Sequence, residues 1–73
     1  MLDRRRMAEV RRLAGVTQTQ MEADLGLPTG IVSRVERGVV SPSYEDVVRV
    51  AEYLGVTPGQ LVGKDDLAVR HTH

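Results

Sequence analysis

A chain of 73 residues suffices for one small domain, near the size at which a single core only just holds. Ten basic and ten acidic residues leave no net charge, and the absence of cysteine excludes a disulfide framework or a thiolate metal site. No apolar run approaches the ~20 residues of a membrane span, and the first residues are charged where a signal peptide would be apolar, so a cytoplasmic protein is expected.

In chain order, residues 3–14 read as a first helix, with Met7, Val10, Leu13 and Ala14 at helical spacing and arginines on the other faces. Gly15 ends it. A second helix over residues 18–25 opens at Thr17, whose hydroxyl caps while Gln20 reaches back to complete a capping box. Met21 and Leu25 share its buried face, and Gly26 comes next, where a left-handed residue ends a helix cheaply. Leu27-Pro28-Thr29 turns the corner, since proline lacks an amide proton but starts a helix well. A third helix over residues 29–37 carries Val32 and Val35 inward and Ser33, Arg34 and Arg37 outward, stopping at Gly38.

Beyond the loop Gly38-Val39-Val40-Ser41-Pro42, Ser43 caps a fourth helix with Asp46 at the capping-box position, and Val47, Val50, Ala51 and Leu54 form its inward stripe. Thr57-Pro58-Gly59-Gln60 opens a short last helix bearing Leu61 and Val62: cap, proline at the first position, glutamine three residues after the cap. Residues 1–63 are thus expected to form one domain and residues 64–73 a polar, mobile tail. There is no internal repeat.

Two short helices about a glycine corner, the second bearing arginines, are what a DNA-binding helix-turn-helix requires. Thr17-Gln18, Leu25-Gly26-Leu27, Ser33-Arg34-Val35-Glu36-Arg37-Gly38, Ser41-Pro42-Ser43 and Ala51-x-x-Leu54-Gly55-Val56-Thr57 with Leu61 together resemble the lambda-repressor and Cro (XRE-type) family of bacterial and phage regulators. The likeness covers residues 3–63. It implies an all-α, five-helix lambda-repressor-like bundle that binds double-stranded DNA as a homodimer on a two-fold symmetric operator. A short protein of this kind serves as a phage or plasmid repressor, a restriction-modification controller, or an antitoxin with a cognate toxin as partner. The alternative is an interaction module that keeps the fold with weak or no DNA affinity, which zero net charge favours.

Charge distribution speaks for the first reading. Residues 1–43 hold seven arginines against five acids, residues 44–73 three basic residues against five acids, and nine of the ten basic residues are arginine, suited to bidentate contacts. By position in a helix-turn-helix, Thr29, Gly30, Ser33 and Arg34 face base edges. Arg34 is the strongest reader, because arginine grips guanine O6 and N7 together for about 1–3 kcal/mol of discrimination. Gly30 either permits close backbone approach, letting Ile31 or Thr29 meet a thymine methyl, or merely loosens the first turn at roughly 1 kcal/mol relative to alanine. Gln18 and Thr17, at a helix N-terminus, and Arg37, beside the loop, are assigned to phosphates. The cluster Arg4-Arg5-Arg6 is either a solvated helix end or a lean on the DNA backbone.

The resemblance further implies that Arg11 and Glu36 form a salt bridge tying the first helix to the end of the third. It also implies that the last helix and the residues after it (Leu61, Val62, Leu67) make the dimer contact, with core burial as the competing account. Where the family carries a small residue, Glu22 must point outward, neutralise or find an arginine. His71 and His73 without a third ligand make no metal site. No cofactor-binding loop, nucleophile–histidine pair or carboxylate pair is present, so an enzyme is not expected.

Overall fold

The protein is described by a computed structural model over residues 2–63; the expected tail and Leu67 lie outside the described residues. Five helices run in order: α1 (Arg4–Leu13), α2 (Gln18–Leu25), α3 (Ile31–Glu36), α4 (Tyr44–Leu54) and α5 (Pro58–Leu61). The described fold is all-α and of the lambda-repressor-like kind. No helix among the described residues is long and apolar enough to cross a membrane.

Helix boundaries are set by side-chain caps. Asp3 starts α1 by accepting from the amides of Arg5 and Arg6, each at 3.1 Å. Its own amide donates to the carbonyl of Leu61, which fastens the start of the chain to α5. Thr17 Oγ1 accepts from the Gln20 amide to start α2. The reciprocal arm expected from Gln20 is not made there, because its side-chain amide donates to Asp24 one turn on. At Thr57 both arms exist: Gln60 N donates to Thr57 Oγ1 and Thr57 N to Gln60 Oε1. Gly26 and Gly55 end α2 and α4 in the left-handed region, at φ +66° and +77°.

The core gathers one face from each helix: Met7 and Val10, Met21, Val32 and Val35, Val47 and Ala51, and Leu61. Met21, Leu61, Val32 and Val47 are its largest fully buried side chains, each contributing about 1.5–3 kcal/mol of transfer free energy. Along α1 the buried face is Met7, Ala8, Val10 and Arg11 rather than the expected stripe through Leu13 and Ala14. Leu13 is 77% exposed. Helix α3 packs on α1 and α2, while α5 packs on α1 and α4.

Two polar ties lash α2 to α4 behind α3. Arg49 Nη2 donates to the Leu25 carbonyl at 3.0 Å, bringing a cation to the negative end of a helix that has none in its own last turn. The Tyr53 hydroxyl donates to Asp24 Oδ2. That hydrogen bond to a carboxylate, with lesser help from desolvation and from the carboxylate's charge, pushes the Tyr53 phenol above its ordinary value.

Candidate nucleic-acid interface

The expected reading helix begins two residues later than its sequence pattern suggests. Thr29 and Gly30 form a turn, and Gly30 is the N-cap at φ +88°. Only glycine adopts this conformation cheaply, so Gly30 carries no helix-propensity cost, and the sequence-based account of it as a weak first-turn residue is corrected. A Cβ at position 30 would stand 3.6 Å from Arg34 Nη1, an ordinary contact, so the left-handed backbone rather than crowding is what calls for glycine here.

A glycine cap has no side chain to meet the free amides at a helix start. Glu22 meets them from outside. Its Oε2 accepts from Gly30 N at 3.0 Å and from Val32 N at 2.9 Å, and the residue is 6% exposed. The carboxylate neither turns out to solvent nor pairs with an arginine among the described residues. It points inward, onto backbone donors, at the positive end of α3. Sequence reading misses this cap, because Thr29 stands at the expected start of the helix and Glu22 reaches it from the preceding one.

At the other end, Glu36 is shared by two elements. Arg11 Nε donates to Glu36 Oε2 at 2.7 Å and Arg11 Nη2 to Oε1 at 3.1 Å, in the forked geometry suited to a guanidinium and a carboxylate. The two side chains are 9% and 7% exposed. Arg11 Nη1 also donates to the Val16 carbonyl, so this pair holds the α1–α2 corner as well as α3. Gln18 Nε2 donates to Glu36 Oε1 at 2.9 Å, so the amide assigned to a phosphate is engaged inside the protein.

Arg4 completes the frame. Its Nη1 donates to the Arg37 carbonyl at 2.7 Å, just past the end of α3. The guanidinium lies over Gly38, where a Cβ would come within 2.9 Å of Nη1 at φ +79°. Neither reading of the Arg4-Arg5-Arg6 cluster anticipates this C-terminal tie, and nothing in the local sequence announces it.

Of the remaining assigned residues, Thr29, Arg34 and Arg37 are exposed and Ser33 is half-buried. Among the described residues no carboxylate pairs with Arg34 or Arg37. Thr17 is exposed, with its hydroxyl accepting from the α2 amide. Thr29, Gly30 and Arg34 share one edge, while Gln18, Ser33 and Arg37 line an open cleft beside it together with arginines of α1. Leu61 corrects the expected dimer contact: it is 0% exposed and fills the core beneath α1 and α4, so it offers no surface to a second copy. Val62 is half-buried against the same core.

The family model of helix-turn-helix proteins matches residues 7–61, well over half of the chain. No curated protein and no solved structure matches. The match spans the whole frame from Met7 through the buried Arg11–Glu36 pair to Leu61. The chain therefore belongs to the lambda-repressor-like (XRE-type) family of DNA-binding helix-turn-helix regulators.

Proposed function

We propose that this regulator is a sequence-specific repressor that acts as a homodimer on a two-fold symmetric operator, in the cytoplasm of a bacterial or phage-infected cell. Helix α3 enters the major groove with Thr29, Gly30, Ser33 and Arg34 at base edges, while Thr17 and Arg37 meet phosphates and Gln18 offers one the amide hydrogen that Glu36 does not take. The observation that carries this reading is Arg34: exposed, without an ion-pair partner among the described residues, and carried on a helix fastened at both ends. A duplex bearing guanine at the right step supplies the bidentate acceptor this guanidinium lacks. Pairing two copies is a consequence of size, since one small domain reads few base pairs and two joined copies read a pair of half-sites a helical turn apart. Of the residues assigned to that pairing, Val62 is the described one that keeps some exposed surface.

The experiment is selection of bound sequences from a random duplex pool, then titration of the selected and random duplexes. The selected sequence should show two inverted half-sites and outbind random duplex by about 10³ or more. Arg34→Ala should relax preference at one base pair of each half-site. Selection that returns no preferred sequence would leave only a helical interaction module.

A further inference from the structure

We infer that the outward face of α1 is part of the DNA footprint, with Arg5 and Arg12 gripping the sugar-phosphate backbone that borders the groove entered by α3. This rests on the proposed reading of α3 and extends it to a surface outside the helix-turn-helix itself. The carrying observation is a single open cleft of about 370 Å³ between α1 and α3, into which Arg5, Arg12, Gln18, Ser33 and Arg37 all open. Gln18, Ser33 and Arg37 are the ones that the proposed docking of α3 sets against DNA, so a duplex that meets them lies along the α1 arginines as well.

The local geometry suits a phosphate run. Arg5 and Arg12 are seven residues apart, so at 100° per residue they stand within about 20° of each other on the helix and about 10 Å apart along it. That spacing lets the two flexible guanidiniums reach different phosphates of one strand. Ala8 lies between them on the cleft side, buried and only 8% exposed, and its methyl leaves the space open. Glu9, the acid within the helix on this side, stands across the Arg5–Arg12 line and does not line the cleft. Glu36 does line it, but its oxygens are taken by Arg11 and Gln18. Arg4 adds positive charge at the cleft while its Nη1 is held by the Arg37 carbonyl. Among the described residues neither Arg5 nor Arg12 has an ion-pair partner, and both are exposed. Two adjacent unpaired cations at fixed spacing are what counterion release from a duplex rewards.

The test is the salt dependence of binding by the whole chain, using a random-sequence duplex and the selected operator. Arg5→Ala/Arg12→Ala should reduce the slope of log affinity against log salt by about 1.8, since each neutralised phosphate contributes about 0.9. The affinity gap between wild type and variant should therefore shrink about tenfold between 50 and 200 mM salt. Both duplexes should lose equally, because phosphates carry no sequence information. Arg5→Lys/Arg12→Lys should restore the slope, as a point charge serves a phosphate. An unchanged slope in the alanine variant, beside a salt-dependent wild type, overturns the inference while leaving α3 as the reader. So does a loss that the lysine variant fails to restore, or a loss confined to the operator. A wild type with no salt-sensitive binding to any duplex overturns the reading of α3 itself, and tight binding to an acidic protein or RNA in its place assigns the cleft to that partner instead.

Discussion

Glu22→Ala tests how α3 is held. Both backbone bonds run to one oxygen, Oε2, so truncation strips the amides of Gly30 and Val32 of their acceptor together. Val32 is 2% exposed, and water reaches its amide poorly. An unmet buried donor costs about 1–3 kcal/mol, and loss of a helix cap about 1 kcal/mol. Against this, alanine suits the interior of α2 and spares the desolvation of a carboxylate. The net expectation is a loss of about 2–3 kcal/mol from a domain whose total is of order 4–11 kcal/mol at its length. The melting temperature should fall by about 8–24 °C.

Glu22→Gln separates hydrogen bonding from charge. One amide oxygen can serve both donors, so the loss should not exceed that of a charge at a helix end, about 0.3–1 kcal/mol. Urea unfolding monitored by circular dichroism measures both. An alanine variant within about 0.5 kcal/mol of wild type, the range of an inert surface change, would show that the carboxylate does not hold the helix start. A glutamine variant as damaged as the alanine one would show that charge, not acceptor geometry, is what matters.

Arg11→Ala should cost about 3–5 kcal/mol by leaving Glu36 buried without its cation; urea unfolding should show most of this recovered in Arg11→Met/Glu36→Leu, which removes both charges. Gly38→Ala and Gly26→Ala each face a left-handed backbone penalty of about 1–2 kcal/mol. Only at Gly38 must a Cβ displace Arg4, 2.9 Å away, whereas nothing lies within 4 Å at Gly26, so Gly38→Ala should melt lower. Phenolate absorbance should show Tyr53 titrating above 10.0, the ordinary value for tyrosine, and returning toward it in Asp24→Ala. Because the bond favours the protonated phenol in the folded chain, its contribution to stability is complete below pH 10.0 and fades as pH rises beyond it.

What sequence reveals here is local. The caps at Thr17, Ser43 and Thr57, the glycine ends at Gly26 and Gly55, and the burial of Met21, Val47 and Ala51 depend on neighbours within one or two turns. Periodicity fails on α1 because the last inward place goes to Arg11 instead of Leu13. An arginine enters the core only where a carboxylate waits, and that carboxylate is 25 residues away. Family resemblance can name such a pair; hydropathy cannot. Glu22 and Gly30 fail for the same reason. Each looks unfavourable alone, a buried acid and a glycine near a helix start, and each is explained by the other across the corner. Arg4 meets the Arg37 carbonyl across 33 positions, a distance over which no pattern reaches.

These long-range ties answer why a chain of zero net charge suits a duplex. Helix α3 has six residues, too few to hold its shape in water unaided. Its order comes from Val32 and Val35 in the core, Glu22 at its start, Arg11 on Glu36, and Arg4 just past its end. The same contacts sort the charges. Of the acids in residues 1–43, Asp3 caps α1, Glu22 caps α3, Asp24 accepts from Tyr53 and Glu36 accepts from Arg11, which leaves Glu9 as the exposed acid of α1. Arg5, Arg12, Arg34 and Arg37 stay outward without ion-pair partners among the described residues. On α1 and α3 the acids other than Glu9 serve the frame while these arginines stay on its surface, and the exposed acids of α4 lie on another element, so the formal sum understates the positive charge on this side. A helix ordered in advance also gives up little freedom on docking, so in the proposed complex the contacts of Arg34 and its neighbours would appear as discrimination between sequences.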